Sequence, residues 1–452
     1  MLDPIRLRDL ERKLLDRYER AATDEAFSLL QNTHPADIAD LLDALDEEPR
    51  LWVFGLLDDH VASEVLDEAL DESTLDLVEA APSERIADLL EELPMDDAAE
   101  LLSELPPEQA QELIALMEPE EALEVADLLR YADDTAGRLM TEKVVRIRRR
   151  WTVQETLNYL RTVDPETETL AYLYVVDDDD CLAGVVPLRR LVTAFPHALV
   201  RDVMQPDVVH VSVDTDQEEV ARLVSQYDYL AVPVVDRRGR LAGVITHDDV
   251  VDILHEEFTE DIQRIGGSQP LERSYFSVSI GTVARKRIGW LLLLFLTATL
   301  TGTVMRLFQN ELDTVVALTF FVPLLIGTGG NAGSQTTTTI IRALAIGEVR
   351  MRDALRVLVH EFSVGLLLGL GMAVVAYARA VTWGTGIAVA IAVAVSILAI
   401  VLWATSVGSL LPLLAARLGI DPTVVSGPAM STLVDATGLF IYFSIARLVL
   451  RM

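Results

Sequence analysis

Hydrophobic and polar positions alternate in three different rhythms along this chain. Over residues 20–130 apolar residues recur at helical spacing in short bursts. The phrase Ile38-Ala-Asp-Leu-Leu returns as Ile86-Ala-Asp-Leu-Leu, and similar phrases at Leu101-Leu102 and Leu113-Ile114 are closed by Pro106-Pro107 and Pro119. Short amphipathic helices broken every turn or two predict stacked helical hairpins, an all-α superhelical N-domain over 1–130. From about residue 135 the texture changes to strand-like runs. Tyr172-Leu-Tyr-Val-Val and Leu182-Ala-Gly-Val-Val form one pair; Leu230-Ala-Val-Pro-Val-Val and Leu241-Ala-Gly-Val-Ile-Thr246 form the second, with a turn at Asp236-Arg-Arg-Gly239. Two similar α+β units are expected, at 131–200 and 201–256.

Helical spacing resumes from Asp248 to Ile265, with Ile253, Leu254, Phe258, Ile262 and Ile265 apolar and acids between them. This predicts an amphipathic connecting helix over 249–270, overlapping the second unit and ended by Gly266-Gly267. Five apolar stretches follow within 281–452, near 288–308, 315–344, 354–380, 386–414 and 424–450. Each reaches the ~20 residues needed to cross a bilayer, so a five-helix transmembrane bundle is expected.

Charge sharpens this division. The formal net charge is −34, but residues from Leu271 onward hold 8 acids and 13 bases, leaving nearly all the acid in the first 270. Nucleic acid is excluded as a partner for so negative a surface. Only three of 37 basic residues are lysine, and low lysine with abundant carboxylate equally fits a halophile's solubility adaptation. A single cysteine, Cys181, rules out an internal disulfide and fits a reducing compartment. No apolar stretch lies near Met1, so the polar half is expected in the cytosol. Counting Arg and Lys at the span ends gives eight on that side against four on the other, which places the C-terminus outside a cell membrane crossed several times.

The fifth stretch carries Asp435 amid apolar neighbours. An ionised carboxylate at bilayer depth is costly and ordinarily faces a bundle interior or a wet path. The nearest base on that helix is Arg447, roughly 18 Å further along at ~1.5 Å per residue, too far to neutralise it. A permeating cation is therefore the expected partner. The second stretch holds Pro323-Leu-Leu-Ile-Gly-Thr-Gly-Gly330-Asn331-Ala-Gly333-Ser-Gln335 and four threonines, small and amide residues that allow close backbone approach beside a wet cavity. Asn331 and Gln335 are candidates for the wall of that cavity, or for hydrogen bonds between helices. Pro428 is expected to free a carbonyl within the fifth helix.

The paired strand units resemble a tandem of CBS domains. That resemblance implies an adenine nucleotide, ATP, at the second CBS unit, where the phrase Gly-Val-Ile-Thr246-x-x-Asp249 matches. The first unit departs, with Pro187 and Arg190 in those places. The glycine–amide segment, Asp435 and the domain order together resemble the MgtE family of magnesium channels. The resemblance implies a homodimer, with Mg²⁺ passing along the two-fold axis beside Asp435 and Asn331, and no enzymatic activity. It also implies gating by cytosolic Mg²⁺ at acids that would otherwise repel: Asp88, Glu92, Asp96, Asp214, Asp216, Asp248, Asp252, Glu256, Glu257, Glu260, Asp261 and Asp421. The pattern does not single out the sensor among them. Two other readings stay open, an ion-coupled divalent-cation exchanger and a CBS nucleotide sensor that the membrane part merely anchors.

Overall fold

The computed structural model describes residues 4–69, 72–163, 170–271, 278–425 and 427–451. The chain divides into two compact units, Met1–His255 and Glu256–Met452.

Among the described residues the first unit opens with ten helices: α1 (Pro4–Glu19), α2 (Thr23–Leu30), α3 (Pro35–Ala44), α4 (Glu47–Phe54), α5 (Asp59–Glu68), α6 (Glu72–Ala80), α7 (Ser83–Glu92), α8 (Met95–Glu104), α9 (Pro107–Leu116) and α10 (Pro119–Leu128). Alternate helices stack on one another, α3 on α5, α5 on α7, α7 on α9 and α8 on α10. The repeated phrase is what they bury: Ile38, Ala39, Leu41 and Leu42 of α3, then Ile86, Ala87, Leu89 and Leu90 of α7. The prolines at the breaks start helices. Pro35, Pro107 and Pro119 occupy first turns, where the absent N–H has no intrahelical acceptor to lose.

Next come β1 (Arg146–Arg148), α11 (Val153–Leu160), β2 (Tyr172–Val176), β3 (Leu182–Pro187), α12 (Leu188–Thr193) and α13 (Val200–Val203). The second CBS-like unit repeats the plan with β4 (Val211–Ser212), α14 (Gln217–Tyr227), β5 (Ala231–Val235), β6 (Leu241–Thr246) and α15 (His247–Ile265). In each three-stranded sheet the short first strand runs parallel to the second, and the second and third pair antiparallel. The hairpin tips meet back to back, Leu182 N–H donating to the Gly239 carbonyl at 3.0 Å and Leu241 N–H to that of Asp180 at 3.1 Å. Pro187 faces Tyr172 in its sheet as Thr246 faces Ala231 in the other. The two are structural equivalents, so the departure noted in the sequence falls at matched positions.

The second unit contains the end of α15, then α16 (Ile280–Leu307), α17 (Gln309–Thr314), α18 (Val322–Ala345), α19 (Ala354–Thr382), α20 (Ile387–Arg417) and α21 (Gly427–Leu450). Among the described residues five helices, or helices extended by a 3-10 turn, are long and apolar enough to cross a membrane, with α20 the most apolar. Helix α20 is the hub, packing against α18, α19 and α21. Close approach of α18 to its neighbours depends on small residues. A methyl at Gly329 would meet Ile400 at 2.5 Å and Val434 at 2.8 Å.

Two prolines resolve differently from expectation. Pro428 stands in the first turn of α21, where its missing N–H deprives no carbonyl of a partner, so it does not open the helix beside Asp435. Pro412, inside α20, does. Its missing N–H leaves the Gly408 carbonyl, one turn back, without a backbone donor. The Thr337 hydroxyl of α18 donates to that carbonyl at 3.2 Å.

Candidate functional site

Helices α18 and α21 run antiparallel in close contact. Ser334 Oγ donates to the Gly427 carbonyl at 3.1 Å and lies 3.3 Å from Ser431 Oγ. Gly333 packs on Met430, Gly330 on Ser431 and Gly329 on Val434. Asp435 stands one turn beyond Ser431, and continuing this register sets it level with Gly327, one turn along α18 from Asn331. The core face of α21 is Met430, Val434, Gly438, Leu439, Tyr442, Phe443 and Ala446. Asp435 lies beside that face and is half-buried. Among the described residues no hydrogen bond or ion pair engages its carboxylate.

Arg447 is not available to it. Its guanidinium lies 3.6 Å from the carboxylate of Glu311, whose side chain is only 13% exposed, at the far end of the helix. The separation inferred from the sequence thus corresponds to a base committed elsewhere.

One face of α18 presents Asn331, Gln335, Thr338, Thr339 and Arg342, all exposed. Their spacing of three or four residues keeps them on a single side of the helix. Ser334, Gln335, Thr338, Thr339, Arg342 and Glu348 line an open groove of about 700 Å³. The opposite side, with Thr336 and Thr337, is buried against α19 and α20, where Thr336 donates to Glu361 at 3.3 Å. Amides and a guanidinium exposed along a membrane-length helix are not tolerated by hydrocarbon, so this face meets water or another chain.

A second constellation lies in the first unit. Asp67 of α5, Asp97 in the first turn of α8, and Asp248 and Asp249 in the first turn of α15 come together. Asp67 and Asp97 are within hydrogen-bonding reach of each other. Burial, then the nearby charges of Asp96 and Asp67, pushes the Asp97 carboxyl up to about 11. Asp67 is an exposed residue, yet partial desolvation and the charges of Asp248 and Glu64 raise it above the usual carboxylate range. Asp249 is raised by burial and by Asp248 and Asp252, although it accepts from the Thr246 N–H at 2.9 Å and the Thr246 hydroxyl at 2.7 Å. Burial also raises Asp252, with His255 opposing. Carboxyls raised together above their ordinary range mark a place where positive charge is missing.

The other acids singled out from the sequence are distributed differently. Asp88 and Glu92 are exposed on α7, Glu92 lying 3.8 Å from His60. Asp96 is buried beside Asp97. Asp214 forms a two-pronged pair with Arg237 at 3.0 and 3.2 Å, which holds its carboxyl below the usual range. Asp216 caps α14 by accepting from Glu218 N–H. Glu256 is exposed and Glu257 half-buried on α15. Glu260 and Asp421 share Arg264. Asp261 is raised by burial and then by the charge of Asp421. Among the described residues no three carboxylate or imidazole groups form a ready-made metal site. Asp67 escaped sequence reading, because nothing in Leu66-Asp67-Glu68 distinguishes it from the many exposed acids of the helical repeat.

Comparison with known proteins decides the family. A divalent cation transporter model, MgtE, matches residues 322–445; the MgtE intracellular N domain matches 33–134; CBS domains match 136–197 and 200–256. The magnesium transporter MgtE of Thermus thermophilus is 45% identical over 327 residues, covering 72% of each chain. That of Bacillus subtilis is 32% identical over 319 residues, 71% of this chain and 70% of its own. The chain belongs to the MgtE family. A solved structure of the cytosolic domain of the Mg²⁺ channel MgtE in complex with ATP matches with a TM-score of 0.52 and 41% identity, over 54% of this chain and 99% of its own. Another, of the soluble part of a magnesium transporter, gives a TM-score of 0.51 and 32% identity. The MgtE family is one of transporters and not of enzymes, and the family architecture of helical N-domain, CBS pair and five apolar helices is the one seen here. Asp435, Asn331 and the exposed face of α18 fall within the matched transporter region.

Proposed function

We propose that this chain is a Mg²⁺-conducting channel of a cell membrane, with its N-terminal half in the cytosol and its C-terminus outside. It works as a homodimer, Asp435 of each copy facing a shared conduit along the two-fold axis. The observation that carries this reading is a half-buried carboxylate, without a partner among the described residues, one helical turn from the near end of a helix face of exposed amides and hydroxyls. Magnesium dehydrates reluctantly and retains several waters when bound. Two carboxylates and a polar wall suit a largely hydrated ion, supplying charge without a cage of direct ligands. Uptake needs no pump, since a divalent cation gains about 4.6 kcal/mol across 100 mV.

In this reading the acids gathered around Asp97 are the sensor. Cytosolic Mg²⁺ replaces the missing positive charge, draws α5, α8 and the start of α15 together, and through α15 closes the conduit. Asp252, Glu256, Glu257 and Asp261 add to the field along α15, whereas Asp214 and Asp216 serve local structure. ATP bound at the second CBS unit, beside Thr246 and Asp249, adjusts this response.

Flux in liposomes tests the reading. The reconstituted protein is expected to carry Mg²⁺ with a reversal potential set by the Mg²⁺ gradient alone. A reversal that also follows protons or Na⁺ would replace the channel with an exchanger; absence of flux would leave only a membrane-anchored nucleotide sensor.

A further inference from the structure

The end of α15 and the start of α21 are joined by fixed charge. Arg264 Nη1 lies 2.6 Å from Asp421 Oδ2, and the other terminal nitrogen pairs with Glu260 one turn back. Asp421 is itself held, accepting from the Thr423 N–H at 2.8 Å and hydroxyl at 2.6 Å. It thereby opens the 3-10 turn Pro422–Val425 that leads into α21. Asp435 follows fourteen residues later on that helix.

Backbone packing reinforces the joint. Gly267, at φ +75°, lies where a methyl would strike the Trp290 indole at 2.4 Å, with Pro428 at 3.4 Å. Gln263 Oε1 accepts from the Leu271 N–H at 2.7 Å, and Lys286 Nζ donates to the Pro270 carbonyl at 2.5 Å. The connecting helix is therefore seated on α16 and on the first turn of the Asp435 helix at once. Three acids, Glu260, Asp261 and Asp421, crowd this seat, and Asp421 and Glu260 act directly on Asp261. Arg264, and more weakly Arg342, offset that repulsion at Asp261.

We propose that Arg264 is a positioning residue of the gate: its guanidinium is a permanent cation that latches the connecting helix to the Asp435 helix without a divalent ion. The proposal rests on the channel reading above, in which the seated helix is the closed arrangement. Cytosolic Mg²⁺ then has only to supply the remaining part of the closing free energy. Removing the latch shifts the gate towards open and raises the Mg²⁺ needed to close it.

Full-length protein in liposome patches tests this, with open fraction read as Mg²⁺ is varied on the side of the soluble region. Arg264→Gln and Asp421→Asn are each expected to raise the half-closing Mg²⁺ about three- to five-fold, as suits a partly exposed pair. Single-channel conductance should stay unchanged in Arg264→Gln. Arg264→Lys, which keeps the charge but loses the planar fork, should fall in between. The double variant Arg264→Gln with Asp421→Asn should shift the half-closing Mg²⁺ to within about two-fold of the larger single shift, the non-additivity expected of two groups that act on each other. An unshifted half-closing Mg²⁺ in both single variants, or single shifts that simply multiply in the double variant, overturns the latch. If Arg264→Gln does not fold, the Arg264→Lys and Asp421→Asn responses decide on the same terms. An unmodified protein that conducts nothing would instead overturn the channel reading itself.

Discussion

At the scale of single residues the chemistry rests on which charges have partners and which do not. Arg447 is taken up by Glu311, Arg237 by Asp214, and Arg264 by Asp421 and Glu260. Asp435 stands apart from all of them, although it is the acid set deepest in an apolar helix. That contrast makes it the residue whose loss should cost transport and not folding. Asp435→Ala is expected to reduce Mg²⁺ flux in liposomes at least a hundred-fold, while thermal unfolding in detergent stays within about 1 kcal/mol of the unmodified protein, because no native interaction among the described residues is broken. A variant that still conducts would remove Asp435 from the conduit. Much of this was legible in the sequence. A lone acid in an apolar run is conspicuous, and its distance from Arg447 follows from helix rise alone. Glu311 was not legible as the partner of Arg447, because the pair joins α21 to the short helix α17 and no local pattern reports that contact.

At the scale of elements, α18 has two faces with separate duties. Thr337 and Thr338 are adjacent in sequence and equally polar, yet Thr337 is buried and donates to the carbonyl left open by Pro412, while Thr338 lines the exposed groove. The two should therefore fail differently when each is changed to valine. Thr337→Val leaves a buried carbonyl without a donor, and should destabilise the protein by about 1–2 kcal/mol, measured as a lower detergent unfolding midpoint. Thr338→Val should leave that midpoint unmoved and lower Mg²⁺ flux several-fold by drying part of the wall. Equal behaviour of the two would remove the distinction between the faces. The sequence revealed four consecutive threonines but not this division, since phase relative to α20 depends on the register of packing. For the same reason it pointed to Pro428 and passed over Pro412. A proline matters by its distance from the helix start, and apolar periodicity locates such starts only to within a few residues.

At the scale of the whole molecule, the helical repeats, the CBS-like pair and the five apolar helices were legible because each has its own hydrophobic period. The proposed sensor was not, since Asp67, Asp97 and Asp249 come from three elements far apart in the chain and only tertiary packing brings them together. Their protonation gives a direct way to watch the gathering of these elements. When α5, α8 and α15 are apart, the acids titrate as ordinary carboxylates; when packed, Asp97 is pushed up to about 11 and Asp67 and Asp249 are also raised. Between about pH 4 and these raised values the packed form holds more protons than the separated form, so packing weakens as pH rises. One excess proton corresponds to about 1.4 kcal/mol per pH unit, a ten-fold change in the packing equilibrium. Mg²⁺ supplies the positive charge in place of the proton and should flatten that dependence. Hydrogen exchange on the intact protein is therefore expected to show α8 and the first turn of α15 exchanging faster as pH rises from 6 to 8, after correction for intrinsic rates. Millimolar Mg²⁺ should restore protection at pH 8 and add little at pH 6. Protection that rises with pH in the absence of Mg²⁺ would mean that the carboxylates are ionised and satisfied in the packed form, and the sensor would have to be sought among other acids.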